Sequence, residues 1–175
     1  MMNYVEKRCF YQCLLLFVCL LCVPRSAQAQ AWDGEGDVKV YGGYANVGGK
    51  SGFELGTDYA LSDFVSLGGQ ITYVSVKKHG DGDNSFLLGY DLSLMGNYHW
   101  AEVLKLPSVL DIYSGVSVGL RTVGLQAGVR YNFSETFGLY GQVRQNLVKT
   151  FGDGVEHGRV YQGKTALSVG LTVTF

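Results

Sequence analysis

The chain has 175 residues, 25 of them glycine, with 14 Lys+Arg against 15 Asp+Glu and a net charge of −1. That length holds one domain, or a small domain with a tail. A hydrophobic fraction of 47% excludes a disordered chain, and the near-balance of charge removes the basic footprint that nucleic-acid binding leaves.

Residues 1–29 carry Lys7 and Arg8, an apolar run from Leu14 to Val23, then Pro24 and Ser26-Ala27-Gln28-Ala29. A charged start, a short apolar centre and an A-x-A site make a secretory signal peptide. The run, about 10 residues, is too short to cross a bilayer as a helix. Val18 and Leu21 stand before Cys19 and Cys22, where a lipoprotein signal needs a small residue. The mature domain is therefore expected to span 30–175, starting at Gln30, with cleavage one or two residues later, at Ala31 or Trp32, as the alternative. Removing 1–29 takes all 4 cysteines with it and leaves 11 basic against 14 acidic residues, a net charge of −3. The exported chain then has no disulfide, no thiol nucleophile and no zinc–cysteine site.

After residue 30 nearly every segment alternates with period two, the strand signature. Eight strands are expected, near 38–47, 51–61, 64–76, 86–100, 108–120, 122–133, 137–147 and 164–175. One parity is apolar and uncharged, as in Phe53-Leu55-Thr57-Tyr59-Leu61, Leu88-Tyr90-Leu92-Leu94 and Ile112-Ser114-Val116-Val118. The other carries Lys39, Glu54, Asp58, Gln70, Asp91, Asn97, Asp111, Gln126, Arg130, Gln142, Arg144 and Asn146 among glycines and serines. Between Leu120 and Val123 the apolar parity changes from even to odd, which marks a turn or bulge. An unbroken strand over 108–133 would also reach about 85 Å at roughly 3.3 Å per residue. A tight hairpin is thus expected near Leu120–Thr122.

Two kinds of eight-stranded antiparallel barrel fit this pattern. A soluble, lipocalin-like barrel points its apolar parity inward; an outer-membrane barrel points it at lipid and keeps a polar interior. The second fits better. The apolar parity holds no charge, and a charge at mid-bilayer costs roughly 2–4 kcal/mol. The other face carries both signs, so Lys39, Glu54, Asp58, Asp91, Asp111, Arg130 and Arg144 can pair as an interior network. With both termini on the periplasmic side, Tyr59, Tyr98, Trp100, Tyr131, Phe133, Phe137 and Phe175 gather at that boundary as an aromatic girdle. Tyr44, Phe53, Tyr73 and Phe86 make a sparser outer one. Short Ser62-Asp63 and Ser134-Glu135-Thr136 suit periplasmic turns, and the polar 77–85 and 148–163 suit external loops. Two connectors fit less well: 101–107 is long for a periplasmic turn, and the hairpin near Leu120 is short for an external loop.

The signal peptide, the eight alternating segments and the terminal LSVGLTVTF resemble the small Gram-negative outer-membrane β-barrel proteins of the OmpX/OmpA-barrel and opacity-type group. The YNFSETFGL stretch (131–139) looks like their strand–turn–strand joints. The resemblance covers the mature chain and implies an eight-stranded up-and-down transmembrane barrel in the cell outer membrane. In that group the last strand is read by the barrel-assembly machinery, and Leu167, Val169, Leu171, Val173 and Phe175 match that signal. The implied partners are outer-membrane lipid and lipopolysaccharide, with the assembly machinery and periplasmic chaperones during biogenesis; a monomer is expected.

Motifs for chemistry are weak. GGYANVGGKSG (42–52) has Tyr44 where a P-loop needs glycine, and a hairpin turn is the better reading. His79, Asp81, Asp83 and Ser85 share a loop without the glutamate that closes a calcium site, so a solvated loop is expected. The same holds for Asp153, Glu156 and His157. His99, beside Trp100, is expected at the periplasmic interface. Asn132-Phe133-Ser134 is a glycosylation sequon without meaning in a bacterial turn. No cofactor, metal site or enzymatic activity is expected. The leading function is an integral barrel with a side-chain-filled interior and a structural or surface role. The alternatives are a narrow conduit, for which Gly43, Gly56, Gly68, Gly89, Gly115, Gly128 and Gly170 would leave space, and a lipid A-modifying barrel enzyme.

Overall fold

The computed structural model describes residues 30–75, 89–150 and 160–175. The signal peptide, Phe86, Leu88, the His79 loop and the Asp153–His157 loop lie outside the described residues. Eight strands follow one another: β1 Val38–Val47, β2 Lys50–Ala60, β3 Val65–Val74, β4 Tyr90–His99, β5 Leu110–Gly119, β6 Thr122–Asn132, β7 Phe137–Lys149 and β8 Thr165–Thr174. Each pairs antiparallel with the next, and β1 pairs with β8, so the sheet closes on itself. Closure leaves no edge of unpaired amides, the condition for a sheet to lie in hydrocarbon.

The turns follow local chemistry. Gly48 and Gly49, at φ +56° and +87°, form the two-residue β1–β2 turn, where both residues must be left-handed. The β5–β6 hairpin turns at Leu120-Arg121, with Val118 opposite Val123. It lacks glycine and asparagine because the neighbouring strand holds it. The Arg121 amide donates to Asp91 Oδ1 at 3.0 Å, its Nε donates to the Tyr90 carbonyl, and the Leu120 amide donates to the Leu92 carbonyl at 2.8 Å. The long β4–β5 connector is taken up by helical turns, with Leu104 N–H bonded to Trp100 O and Leu106 N–H to Ala101 O, both at 2.9 Å. A bulge at Leu147 in β7 leaves both Leu147 and Val148 exposed.

Sidedness is inverted relative to a soluble barrel. The apolar parity is outside: Leu55, Leu67, Leu94, Val116, Leu125, Val143, Leu167 and Leu171 are exposed, Leu94 by 68%. The polar parity is inside and buried. Tyr41 lies opposite Gly56 and Tyr113 opposite Gly128, and a Cβ on either glycine would stand 2.4 Å from the facing ring. These two glycines therefore do not leave the open space that a conduit requires. They make room for two tyrosine rings, which fill the middle of the lumen. Gly128→Val should overpack that layer and destabilise the barrel by about 1–3 kcal/mol. The readout is the urea midpoint of the mobility shift of the folded band on unboiled gels.

Candidate functional site

The barrel's interior is a stack of polar layers, and alternation alone aims its side chains inward. At the end bearing the termini, Lys39 pairs with Asp37 at 2.8 Å and donates to Thr174 Oγ1 at 2.9 Å. Next, Arg130 is paired with Asp58 and lies 4.0 Å from Asp111. Its guanidinium sits over the Tyr113 ring at 4.5 Å and the Tyr41 ring at 5.7 Å. Asn97 and Gln126 continue the layer, donating to Asp58 at 3.2 Å and to Asn97 at 2.6 Å. In the middle, Tyr41 donates to Gln70 at 3.1 Å and Tyr113 to Gln142 at 2.8 Å. Above them Arg144 stands 3.9 Å from Glu54 and donates to Thr72 Oγ1 at 2.9 Å. Asp91 accepts from Thr122 at 3.3 Å as well as from the Arg121 amide. Lys39, Arg130 and Arg144 are exposed by only 0%, 1% and 2%.

All seven charges expected inside thus point inward, and the Arg130 and Arg144 layers are joined through Tyr41, Tyr113, Gln142 and Gln70, whose amide donates to Glu54 at 2.9 Å. Lys39 takes a partner, Asp37, that was not on the expected list.

Sequence reasoning missed one arrangement. His99 is not at the lipid interface; it is fully buried inside, because it falls on the inward parity of β4. Its Nδ1 lies 2.9 Å from Asp111 Oδ2 and its Nε2 lies 3.0 Å from Ser66 Oγ. Serine, histidine and aspartate in this order form the relay of a nucleophilic hydrolase. Here all three are sealed: Ser66 and Asp111 are 0% exposed, and the Trp32 ring is stacked on the imidazole at 3.3 Å. No side of Ser66 is open to an acyl group.

Trp32 belongs to a second missed feature. Residues 30–37 fold across the terminal opening. Ala31 N–H donates to Ser108 O at 2.7 Å, Asn132 Nδ2 to Gln30 O at 2.7 Å, and Trp32 Nε1 to Asp63 O at 2.6 Å. Within this stopper, burial raises the Asp33 carboxyl above the ordinary aspartate value; Asp37 adds to the rise and Lys39 opposes it. Toward the opposite mouth Tyr161 is buried among Val47, Val74 and Ala166, its hydroxyl shared between the carbonyls of Thr72, at 3.0 Å, and Gly89. Burial pushes that phenol well up, with the Asp91 carboxylate adding to the shift, so it stays a donor.

Outside, Tyr59, Tyr98, Trp100, Phe133, Phe137 and Phe175 are exposed near the terminal end, with Tyr131 half-buried among them. Tyr98 and Trp100 meet edge-on at 4.8 Å. Leu167, Leu171 and Val169 face outward along β8, with Val173 half-buried. The Phe175 amide donates to the Val38 carbonyl at 2.9 Å.

A family model described as a family of unknown function, DUF6646, matches residues 22–154. The chain belongs to that family. No curated protein matches the sequence. Among solved structures, the N-terminal β-barrel domain of Pseudomonas aeruginosa OprF is similar at 15% identity and TM-score 0.54, covering 82% of this chain and 100% of its own. A de novo designed transmembrane β-barrel is similar at 13% identity and TM-score 0.54, covering 82% and 99%. The outer-membrane protein OprG of P. aeruginosa follows at 14% identity and TM-score 0.50, covering 86% and 99%. What the chain shares with them is the fold. The closed eight-stranded barrel, apolar outside and polar inside, is that of an integral outer-membrane protein, and the DUF6646 chain has that architecture.

Arg130→Met should leave Asp58 as an unpaired buried charge and cost about 3–5 kcal/mol. The double variant Asp58→Asn/Arg130→Met should recover most of it in the same urea-dependent refolding measurement.

Proposed function

We propose that this barrel is a non-conducting, non-enzymatic structural element of the outer membrane that acts through its outer surface and loops. The observation that carries this reading is the filled lumen, with buried ion pairs at its core, Trp32 stacked at the terminal opening and Tyr161 buried toward the other mouth. An eight-stranded barrel has an interior just wide enough for side chains to fill. The same sealing argues against a lipid-modifying activity for the Ser66–His99–Asp111 relay, since no acyl carbonyl reaches Ser66.

In this reading residues 1–29 are removed on export, and the chain travels with periplasmic chaperones. The β8 residues Leu167, Val169, Leu171, Val173 and Phe175 serve the assembly machinery. The two aromatic rings hold the protein at its depth as a monomer, in contact with membrane lipid and lipopolysaccharide.

Planar-bilayer recording tests the proposal. The refolded wild-type chain should give no stable conductance steps, whereas Tyr41→Ala/Tyr113→Ala, which empties the middle layer, should give them. Stable steps from the wild type would overturn the proposal in favour of a narrow conduit.

A further inference from the structure

The Ser66–His99–Asp111 relay takes no part in the structural role proposed above. Ser66 is the second residue of β3, His99 the last of β4 and Asp111 the second of β5. Three adjacent strands thus bring the relay together at the terminal end of the lumen, where the His99 amide donates to the Phe64 carbonyl at 2.8 Å. A carboxylate only accepts, so in the neutral imidazole Nδ1 carries the proton toward Asp111, and Nε2 is left to accept from Ser66 Oγ. That is the polarity a serine needs in order to lose its proton to a base. Arg130 Nη1 lies 4.0 Å from the same Asp111 oxygen and has no hydrogen-bond partner of its own, which puts an unused cationic donor beside the relay.

What covers the relay is the segment 30–37. Trp32 lies flat on the imidazole, the two rings 9° from parallel. At Asp37 the segment is tied to β1 by the ion pair with Lys39. Residues 30–36 hold to the barrel by isolated hydrogen bonds: those of Gln30, Ala31 and Trp32 described above, Glu35 N–H to Asp63 Oδ1 at 3.4 Å, and Gly36 N–H to Ala60 O at 3.1 Å. Gly34 and Gly36, at φ +86° and +90°, stand between Trp32 and the anchored end, where a cover can swing.

We propose that Ser66 is a latent nucleophile for small carboxylic esters, held off by the Trp32 segment as a cover. This goes beyond the structural role, which describes the barrel with the cover seated. When the cover lifts, the place of the indole on the imidazole face opens to a flat group of similar size. The substrate class is therefore an ester of a short acid, such as an aryl acetate; a long acyl chain finds no room inside eight strands. Ser66 Oγ bonds to the carbonyl carbon as its proton passes to His99 Nε2. The ester C–O bond then breaks, the leaving oxygen takes that proton, and the acyl group stays on Ser66. Water, giving its proton to His99, releases the acid and restores the serine.

The test uses the full mature chain in detergent micelles, with folding read from the mobility shift of unboiled samples. Trp32→Ala removes the stacked ring, and Ala31→Pro removes the amide that Ser108 accepts; both positions lie outside the strands. The probe is a small alkyl fluorophosphonate, which phosphonylates an activated serine with loss of fluoride, and peptide mass locates the adduct. Both folded variants should label at Ser66 at least roughly tenfold faster than the wild type and hydrolyse 4-nitrophenyl acetate in the same proportion. Adding His99→Gln, which keeps polarity but takes up no proton, should slow the labelling by roughly a hundredfold. Labelling at other residues, labelling of the wild type at the variants' rate, or an undiminished rate with His99→Gln overturns the nucleophile. So does a failure of both variants to fold, because the segment is then part of the barrel's framework and not a cover. Bilayer recording stays independent: Tyr41 and Tyr113 are untouched, so an unreactive Ser66 leaves the non-conducting reading standing.

Discussion

Arg130 sits in the barrel with almost no access to water, and the rest of the interior is organised around that fact. A guanidinium in such a place is tolerable only with carboxylate and π-electron partners in reach. Asp58 comes from β2, Asp111 and Tyr113 from β5, and Tyr41 from β1. One side chain therefore binds elements from three strands besides its own, and it does so from the centre. Asn97 then donates to the Asp58 oxygen that Arg130 leaves over, and Gln126 donates in turn to Asn97. The next charged layer, Glu54 with Arg144, repeats the solution nearer the outer mouth.

This interior was legible in the sequence as a parity. The lipid side demands an uncharged row, so every charge within a strand is forced onto the alternate positions, and a one-residue count assigns each face. The same count located the β5–β6 hairpin, where the phase slips between Leu120 and Val123. Strand ends were legible to within a few residues. Which charge meets which was not legible, because pairing across the lumen depends on strand stagger and on side-chain length.

Two features were missed, for different reasons. His99 looked interfacial because Trp100 beside it is, yet neighbouring residues on a strand face opposite ways. Counting parity from Asp91 through Asn97 would have put His99 inside, next to Ser66 and Asp111. The segment 30–37 has no alternation and no apolar run. Its role comes from contacts with Asp63, Ser108 and Asn132, residues remote in sequence. The β5–β6 turn shows the same limit: its conformation is fixed by Asp91 and Tyr90 on an adjacent strand, where turn-residue preferences carry no information.

The seam between β1 and β8 has a consequence for how the molecule comes into being. Lys39 meets Thr174 across a sequence separation of 135 residues, and the Phe175 amide completes the row at Val38. Until those last residues are present, β1 has an open edge and the apolar belt has no continuous wall behind it. Loop-closure entropy makes such a contact late and slow. A chain arrested before β8 would thus remain a curved, sticky ribbon with its charges uncovered, so guarding against premature collapse becomes a task for the compartment it crosses.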